Sequence, residues 1–192
     1  QFIAVGGGLG DVNIWDIQSE TIIHTIDGQG DIVSKLLYLS DGTLVVYYLR
    51  SSDVVVWNPV ISDTVIPIPI TRIEDMILYP DGKSFITLSL SSTIHHWSIS
   101  SDTINTIFNL DIHELGLFYS TIASHPDATV FAVGTTDGEI ILLDPQNPQS
   151  AWLHTLDGHT MHPSELLFSL DGTRLYSISL DGTLRMWGVP SA

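Results

Sequence analysis

The residues in this chain that are most able to take part in catalysis or metal binding are its histidines and the acidic residues beside them. His113-Glu114 begins like the zinc motif of metalloproteases, in which two histidines four residues apart share one helical face. The second histidine is absent, and the pair falls in a loop between predicted strands. His159 and His162 have a spacing that a metal ion could use, but no cysteine or second histidine pair supplies further ligands. We therefore predict no metal site and no cofactor.

Other catalytic patterns are also incomplete. The glycine run Gly6–Gly10 is followed by the strand-like sequence Val12–Trp15 rather than by a helix, which favours a turn over a phosphate cradle. Glycoside hydrolysis needs two acids that converge across a cleft. Nearly every acid outside Glu74, Asp75 and Glu114 belongs to a turn. No Gly-X-Ser-X-Gly elbow occurs either. We predict no catalytic residue and a protein that is not an enzyme.

Composition limits the kinds of partner. The 192 residues carry a formal net charge of −16, with six lysines and arginines, and seven aspartates lie in Asp-Gly pairs. Asp-Gly pairs are typical of tight turns, so many of the acidic residues are explained by a structural role. Six bases leave no patch that neutralises phosphates, which predicts no binding to nucleic acid or anionic membranes. No apolar run reaches the roughly 18 residues that cross a bilayer, so we expect no membrane span.

Cysteine is absent, which excludes a disulfide framework without fixing a compartment. The first residues, Gln-Phe-Ile-Ala-Val, read as the middle of a strand, with neither an initiating methionine nor the basic start of a signal peptide. We expect a soluble, cytoplasmic protein and a sequence that is a piece of a longer chain.

The sequence repeats at intervals of 40 to 46 residues. One position of the repeat, spaced by 42, 40, 46 and 44 residues, is held by Trp15, Trp57, Trp97, Leu143 and Trp187. A second marker, the aspartate of a turn, recurs with spacings of 40, 46 and 44 residues at Asp41, Asp81, Asp127 and Asp171. Because the two markers drift together along the chain, the repeat is genuine.

Alternation of apolar and polar residues between turns predicts eighteen strands and no helix. In the second repeat the last strand is predicted over Thr64–Ile70, and its Pro67 and Pro69 require an outer edge. Repeats of this length with four strands bury their faces by stacking radially as propeller blades. The predicted fold class is all-β, a β-propeller of four-stranded antiparallel blades.

Residues 1–192 are interpreted as one propeller portion with about five blades. The predicted blades cover about 1–31, 32–71, 72–111, 112–157 and 158–192. The first blade lacks its innermost strand and the fifth its outermost strand, so we expect a larger propeller. Uncovered edges and apolar faces favour aggregation. Protein partners, or the remainder of the chain, must therefore cover them.

His95 and His96 are neighbours on a predicted strand, so their side chains point to opposite faces and cannot bind one ion together. When the repeats are aligned, the position of His96 is apolar elsewhere, as Ile14, Val56, Leu142 and Met186. We expect His96 to be a packed core histidine, and a buried histidine must be neutral and hydrogen-bonded or become a pH-sensitive weak point.

Gly158-His159, Ser179, Asp181 and Trp187 resemble the repeat of the WD40 family, and the resemblance spans the whole chain. In that family a His, a Ser or Thr, an Asp and a Trp form a hydrogen-bonded stack. The resemblance implies such a structural tetrad for His159, Ser179, Asp181 and Trp187. Known members usually have seven or eight blades.

The other repeats depart from this pattern. Polar or apolar replacements stand at Gln29, Ser51, Ser91 and Leu143. The fourth repeat keeps Thr135 and Asp137, and His113 could complete a partial tetrad if its loop is longer. These departures indicate a degenerate, individually specialised propeller.

The resemblance implies a non-catalytic protein-interaction scaffold or recognition platform. Partners would dock on the loops that lead into each blade. The predicted contact residues in those loops are Arg50, Arg72, Glu74, His113, Glu114, Met161 and His162. Arginine and methionine are common interface anchors, which favours Arg50, Arg72 and Met161.

Two other functions compete with a plain scaffold. The chain could be the sensing or autoinhibitory C-terminal propeller of a multidomain signalling protein with an upstream enzymatic domain. It could also be a propeller enzyme that acts on a small molecule or sugar through carboxylates at a central channel.

Overall fold

The computed structural model describes residues 2–28, 30–58, 61–66, 72–100, 103–112, 118–147 and 151–188. Across these residues the chain is all-β, with eighteen strands and no helix. The strands are β1 (Phe2–Gly6), β2 (Val12–Asp16), β3 (Thr21–Ile26), β4 (Val33–Tyr38), β5 (Leu44–Tyr48), β6 (Val54–Asn58), β7 (Ile61–Ile66), β8 (Ile73–Leu78), β9 (Ser84–Ser89), β10 (Thr93–Ser100), β11 (Thr103–Asp111), β12 (Tyr119–Ser124), β13 (Phe131–Thr135), β14 (Ile140–Leu143), β15 (Trp152–Leu156), β16 (Pro163–Phe168), β17 (Arg174–Ser179) and β18 (Leu184–Gly188).

In the described part of the chain these strands form five antiparallel sheets, each a simple meander. Sheet 1 is β1-β2-β3, sheet 2 is β4 to β7, sheet 3 is β8 to β11, sheet 4 is β12 to β15, and sheet 5 is β16-β17-β18. The first and last sheets have three strands, as predicted. Each sheet lies within one predicted repeat, although the repeat boundaries themselves stay a prediction.

The chain divides into two compact units. Unit 1 comprises residues 1–72 and 99–104 and contains sheets 1 and 2. Unit 2 comprises residues 73–98 and 105–192 and contains sheets 4 and 5 and most of sheet 3.

The tight turns follow the predicted aspartate chemistry. After the first strand of sheets 2 to 5, an aspartate carboxylate accepts the backbone N–H two residues on. The pairs are Asp41 with Thr43 at 2.9 Å, Asp81 with Lys83 at 2.7 Å, Asp127 with Thr129 at 2.9 Å, and Asp171 with Thr173 at 3.0 Å. The intervening residue has a φ between 62° and 86°, which glycine adopts freely and which Ala128 adopts in sheet 4.

In sheets 2, 3 and 5 the alternation of apolar and polar residues predicts innermost strands that begin at Lys35, Met76 and Leu166, whereas the observed strands begin two or three residues earlier. The cause is a β-bulge at the second residue of the innermost strand in sheets 2 to 5. The bulged residues are Ser34, Glu74, Ser120 and Ser164. A bulge interrupts the two-residue alternation from which strands are recognised, so these residues were missed.

The predicted outer strand of sheet 2 was placed over Thr64–Ile70, whereas β7 covers Ile61–Ile66. Pro67 and Pro69 lie outside the described residues. The predicted edge position is consistent with the sheet order, since β7 is the last strand of sheet 2.

Neighbouring sheets within a unit pack through apolar cores. In unit 1 the core between sheets 1 and 2 contains Val12, Ile14, Leu44, Val46, Val55 and Trp57. In unit 2 the core between sheets 3 and 4 contains Ile86, Leu88, Ile94, Phe131, Val133 and Ile141. The core between sheets 4 and 5 contains Ala123, Ala132, Ile140, Leu142, Leu166 and Leu175. Every blade-like sheet is thus stabilised mainly by its neighbour.

A buried carboxylate also joins sheets 3 and 4. The Oδ2 atom of Asp75 accepts hydrogen bonds from Thr121 Oγ1 at 2.9 Å and from the backbone N–H of Ile122 at 3.0 Å. Its Oδ1 atom accepts the N–H of Met76 at 2.8 Å. The bulge at Glu74 sits just before this residue and sets the direction of its side chain. Asp75 is therefore structural and not a candidate for acid catalysis.

His95 and His96 lie on opposite faces of β10, as predicted. His95 stacks on Trp97 with a ring-centroid separation of 5.2 Å. His96 is 4% exposed, stacks on Tyr79, and its Nε2 atom lies 2.6 Å from Ser84 Oγ. The Ser84 hydroxyl donates to Asp81, so the His96 Nε2–H donates to Ser84. The prediction of a packed, hydrogen-bonded histidine is confirmed.

We predict that this histidine pair makes stability depend on pH. Burial lowers the pKa of His96, although the Asp81 carboxylate opposes this, and burial also lowers the pKa of His95. Below about pH 6.5 the two histidines bind protons more readily in the unfolded chain than in the folded chain. The free energy of unfolding therefore falls as pH falls. Urea denaturation at pH 7.5 and 5.5 measures this loss.

His96→Leu, which installs the residue found at the equivalent position Leu142, should reduce the pH-dependent loss of stability. Part of this loss should remain in the variant, because His95 is still present. His154→Gln is the matched control because it replaces an exposed histidine on β15. A pH slope unchanged in His96→Leu would contradict the interpretation.

Candidate interaction surface

In unit 2 the innermost strands of three sheets start side by side. The third residue of β8, Asp75, bonds to the third residue of β12, Thr121. Ser120 Oγ on β12 donates to the carbonyl oxygen of Pro163, the first residue of β16, at 2.7 Å. Since neighbouring strands are antiparallel, the turns after β9, β13 and β17 lie at this same end. We call this end the top face of unit 2; its described part comprises residues 90–92, 118, 136–138, 159–162 and 180–182.

Hydrogen bonds hold the top-face loops in place. The backbone N–H of Thr136 donates to the carbonyl oxygen of Phe118 at 2.8 Å, and Ser179 Oγ donates to that of Met161 at 2.7 Å. Gly138 has a φ of 97°, and a Cβ at this position would lie 2.5 Å from the carbonyl oxygen of His159. Glycine is therefore required where the turn of sheet 4 meets the loop of sheet 5. These contacts give the loops a fixed backbone.

At the top face, His159 and Asp181 form a directional chain of hydrogen bonds with two side chains of sheet 5, Ser177 and Trp187. The Trp187 indole N–H donates to Ser177 Oγ at 3.0 Å, and Ser177 Oγ lies 2.7 Å from His159 Nε2. His159 Nδ1 lies 2.9 Å from Asp181 Oδ2. An indole only donates and a carboxylate only accepts, so Ser177 donates to Nε2 and the imidazole Nδ1–H donates to Asp181. These hydrogen bonds link the loop before β16 to β17 and β18, and each bond is strengthened by the polarisation of its neighbours.

The serine of this network is Ser177, whereas the sequence placed Ser179 there. Both side chains lie on the same face of β17, because alternate residues of a strand share a face. The register decides between them: Leu175 pairs with Trp187, so Ser177 lies diagonally within reach of the indole, while Ser179 pairs with Pro163. Ser179 instead anchors the loop before β16 through Met161.

Asp181 is the acceptor on which this loop depends. It receives the N–H groups of Thr160 at 3.0 Å and Thr183 at 2.9 Å, as well as the Thr183 hydroxyl at 2.6 Å. The hydrogen bond from the Thr183 side chain is the main cause that holds the pKa of Asp181 well below its usual range, against the opposing effect of burial. The carboxylate is thus ionised and engaged, which suits a structural role.

In sheets 3 and 4 the described residues show fragments of this network. In sheet 3 the Trp97 indole donates to Thr87 Oγ1 at 2.8 Å, the counterpart of the Trp187 bond to Ser177. Ser91 bonds to Ser89 at 2.7 Å and supplies no carboxylate. In sheet 4, Thr135 is buried and accepts the Glu139 N–H at 3.1 Å.

The remaining members of the predicted partial tetrad do not form a network in the described residues. Asp137 is exposed in the turn after β13, and Leu143, at the tryptophan position, is fully buried in the core. His113 lies outside the described residues.

In unit 1 the turn at Ser51 is held by a carboxylate from a different position of the repeat. Asp31, in the loop before β4, accepts the N–H groups of Arg50 at 3.0 Å and Ser51 at 2.8 Å. Burial raises the pKa of Asp31, but the N–H groups of Ser51, Ile32 and Arg50 outweigh it and lower the pKa to about 2. The acid that is missing at Ser51 is thus supplied from the facing loop. Gln29 lies outside the described residues.

The predicted contact residues are divided between the two units. Arg50 and Arg72 belong to unit 1, where both are exposed and Arg72 has a φ of 58°. Glu74, Met161 and His162 belong to unit 2. His113 and Glu114 lie outside the described residues. In unit 2, Met161 is 47% exposed, Glu74 is exposed and His162 is half-buried.

Two prominent top-face residues were missed by the sequence analysis. Phe118 is 66% exposed and Leu180 is 57% exposed. Phe118 falls in the strand that the pattern predicts over Leu117–Ala123, whereas Leu180 lies between the predicted strand Leu175–Ile178 and the Asp181-Gly182 turn. Both residues lie just outside the end of a strand, where the two-residue alternation no longer applies. This position is the sequence signal that could have identified them as exposed.

Two cavities lie among the described residues. A cavity of about 490 Å³ at the opposite end of unit 2 is lined mainly by apolar side chains such as Leu78 and Phe168, with Glu165 as its one carboxylate. A cavity of about 270 Å³ in unit 1 is lined by Asp27, Asp31 and Asp53. Asp31 has a lowered pKa and three bound N–H groups, so it cannot act as a general acid at neutral pH.

The residues that the structure describes contain no group of three His, Cys, Asp or Glu side chains able to hold a metal ion. In the same part of the chain no helix is long and apolar enough to pass through a membrane.

Comparison with known proteins identifies the repeat. The family model "WD domain, G-beta repeat" of WD40 matches residues 150–188, which include sheet 5 and its hydrogen-bonded network. The chain is also similar to the crystal structure of the Myceliophteria thermophila Cps50 (Swd1) β-propeller domain, with a TM-score of 0.79 and 16% identity. That match covers 100% of this chain and 62% of the solved chain. The fold is therefore that of a β-propeller.

Curated relatives extend the likeness. The chain is 25% identical over 193 residues to the WD repeat-containing protein 91 homolog of Dictyostelium discoideum, which covers 95% of this chain and 24% of the relative. It is 25% identical over 190 residues to the pre-mRNA-processing factor 19 homolog 2 of Arabidopsis thaliana, covering 96% of this chain and 35% of the relative. The chain thus spans about a quarter to a third of these relatives. The resemblance to WD40-repeat β-propellers is confirmed.

We predict that Asp181→Ala lowers the melting temperature more than Ser91→Ala does. The first change removes a carboxylate that accepts bonds from His159, Thr160 and Thr183, whereas Ser91 has one described side-chain bond, to Ser89. Thermal melts of both variants at pH 7 provide the comparison. Equal losses in the two variants would contradict the network of sheet 5.

A second prediction distinguishes the two serines. Ser177→Ala removes the acceptor of the Trp187 indole N–H, so the indole cross-peak of Trp187 in a ¹⁵N–¹H spectrum should move by a clear margin. The loss of a buried hydrogen bond should also cost about 1–3 kcal/mol. Ser179→Ala is the matched control and should leave the Trp187 indole signal in place. The reverse pattern would restore Ser179 to the network.

Proposed function

We propose that this chain is a non-catalytic protein-interaction platform and that a partner protein binds the top face of unit 2. One observation carries the proposal. Three large apolar side chains, Phe118, Met161 and Leu180, are 66%, 47% and 57% exposed on a backbone that hydrogen bonds hold in place. Exposed anchors on a pre-organised backbone favour binding because little conformational entropy is lost when a partner docks.

The hydrogen bonds behind these anchors support the same conclusion. Leu180 N–H donates to the carbonyl oxygen of His162 at 3.3 Å, next to the Met161 bond to Ser179. Asp181 and His159, directly below, fix the turn and the loop against each other. A polar network of this kind offers no reacting group to solvent, but it holds the two loops in register. The network therefore supports recognition rather than chemistry.

The charge of the top face indicates which side chains a partner should carry. Among the described top-face residues the exposed carboxylate is that of Asp137, and Glu74, the second residue of β8, is exposed at the same end of unit 2. A partner segment that fits should insert apolar or aromatic side chains among Phe118, Met161 and Leu180 and place basic side chains at the acidic rim. The WD-repeat relative of Dictyostelium discoideum and the propeller neighbour are consistent with a scaffold of this type.

Site-specific photo-crosslinking tests the proposal. A benzoylphenylalanine at position 118 should capture a partner, whereas the same residue at position 170 should not, because Leu170 is 99% exposed at the opposite end of unit 2. The captured protein is then identified by mass spectrometry, purified and titrated by calorimetry.

Phe118→Asp should weaken that partner at least about 30-fold, the effect expected of a hot-spot residue worth about 2 kcal/mol. Leu170→Asp is the matched control and should leave the affinity within about twofold. A partner that binds Phe118→Asp as tightly as the parent chain, or that is lost in Leu170→Asp, would move the binding surface away from the top face.

A further inference from the structure

Asp-Gly pairs are places where a protein backbone can rearrange without an enzyme. The glycine nitrogen can attack the aspartate side chain, because glycine has no Cβ that hinders the approach. The chain has no Asn-Gly pair and seven Asp-Gly pairs, which begin at Asp27, Asp41, Asp81, Asp137, Asp157, Asp171 and Asp181. Which of them reacts depends on how the fold holds each glycine nitrogen.

In six of the seven pairs the glycine N–H donates a hydrogen bond. Five glycines donate to the carbonyl oxygen of the residue three positions earlier, at 2.9 to 3.2 Å. These are Gly42, Gly82, Gly138, Gly172 and Gly182. The sixth, Gly28, donates to Asp11 Oδ1 at 3.4 Å. A nitrogen held in this way must give up its hydrogen bond before it can turn toward the aspartate carboxyl group.

The seventh pair, Asp157-Gly158, lies in the irregular segment between β15 and β16, and Asp157 is exposed. Among the contacts of the described residues, no hydrogen bond engages the Gly158 N–H or the Asp157 carboxylate. The equivalent residue of sheet 3 is Ile112, which follows Trp97 by 15 residues as Gly158 follows Leu143. Its N–H donates to a backbone carbonyl oxygen at 2.9 Å. Gly158 is therefore the glycine of an Asp-Gly pair whose nitrogen can turn without breaking a described bond.

We propose that this protein modifies itself at Asp157-Gly158, where Asp157 rearranges to isoaspartate and thereby breaks the hydrogen-bonded network of sheet 5. The Gly158 nitrogen bonds to Cγ of Asp157 in its acid form, and the amide proton leaves with the carboxyl hydroxyl as water. A succinimide ring results.

Water then opens the ring. When it adds to the main-chain carbonyl carbon of Asp157, the bond from that carbon to the Gly158 nitrogen breaks and the backbone continues through Cγ. Addition at Cγ instead restores aspartate. One water molecule is released and one is consumed, so no oxidant, reductant or cofactor is needed. The proposal does not depend on the top-face partner.

The rearrangement lengthens the backbone by one carbon directly before His159. The extra bond is about 1.5 Å long, whereas hydrogen bonds between nitrogen and oxygen tolerate only about 2.7 to 3.2 Å. His159 lies 2.7 Å from Ser177 Oγ and 2.9 Å from Asp181 Oδ2. A Cβ on Gly158 would lie 2.7 Å from an Arg185 guanidinium nitrogen, so the segment has little space for the added length. The bonds of His159 should therefore be lost.

Peptide mapping by mass spectrometry tests the proposal on folded protein stored at pH 7 and physiological temperature. Isoaspartate should form at Asp157 at least about fivefold faster than at any other Asp-Gly pair, since opening one hydrogen bond costs about that factor in rate. Asp137 is the internal control because it is also exposed, while the N–H of the glycine that follows it is bonded. In urea the seven rates should fall within about threefold of one another, because the native hydrogen bonds are gone.

The Trp187 indole signal in a ¹⁵N–¹H spectrum gives a second readout. Storage should produce a second Trp187 signal whose share follows the fraction of isoaspartate, because Ser177 links the indole to His159. Asp157→Glu is the matched variant. It keeps the charge, but its longer side chain closes the corresponding ring far more slowly, so the stored variant should keep a single Trp187 signal.

Equal rates at Asp157 and Asp137 in the folded protein would overturn the proposal. An excess at Asp157 that persists in urea would do the same, since the cause would then be local sequence and not the hydrogen bonds of the fold. A single, unmoved Trp187 signal in protein that carries isoaspartate at position 157 would contradict the predicted loss of the network.

Discussion

A sheet that is apolar on both faces needs a neighbour on each side, and the structure of this chain depends on that constraint. Three or four short strands cannot form a closed core alone, so each sheet gains most of its stability from burial against the next. The cores around Ile14, Phe131 and Leu142 are three versions of this contact. Sheets 1 and 5 show its cost, because each leaves one apolar face open in the described structure.

Polar contacts add specificity to this apolar packing. Asp75 links sheet 3 to sheet 4 through Thr121, and Ser120 links sheet 4 to sheet 5 through Pro163. Within sheet 5, His159 connects Asp181 to Ser177. In unit 1 the loop acid Asp31 satisfies the turn that Ser51 occupies. The same requirement, that buried N–H groups find acceptors, is thus met by different residues in different repeats.

This tolerance connects structure to function. The apolar cores fix the sheets, and the polar networks fix the loops, so the outermost side chains of the top face are free to vary without disturbing either. Phe118 and Met161 can therefore serve recognition without destabilising the fold, since neither lies in an apolar core. Under the proposed function these side chains would act as the anchors that contribute most to binding.

The sequence by itself determined the number and order of the strands, the aspartate turns and the burial of His96, because these depend on local alternation and on turn chemistry that neighbouring residues specify. It failed at the starts of the inner strands, where bulges at residues such as Glu74 break the alternation. Only the tertiary structure chose Ser177 over Ser179, since cross-strand register decides which hydroxyl reaches Trp187. It also decided that Phe118 is exposed and that Asp75 is a buried link between sheets, because burial depends on contacts between residues that are distant in the chain.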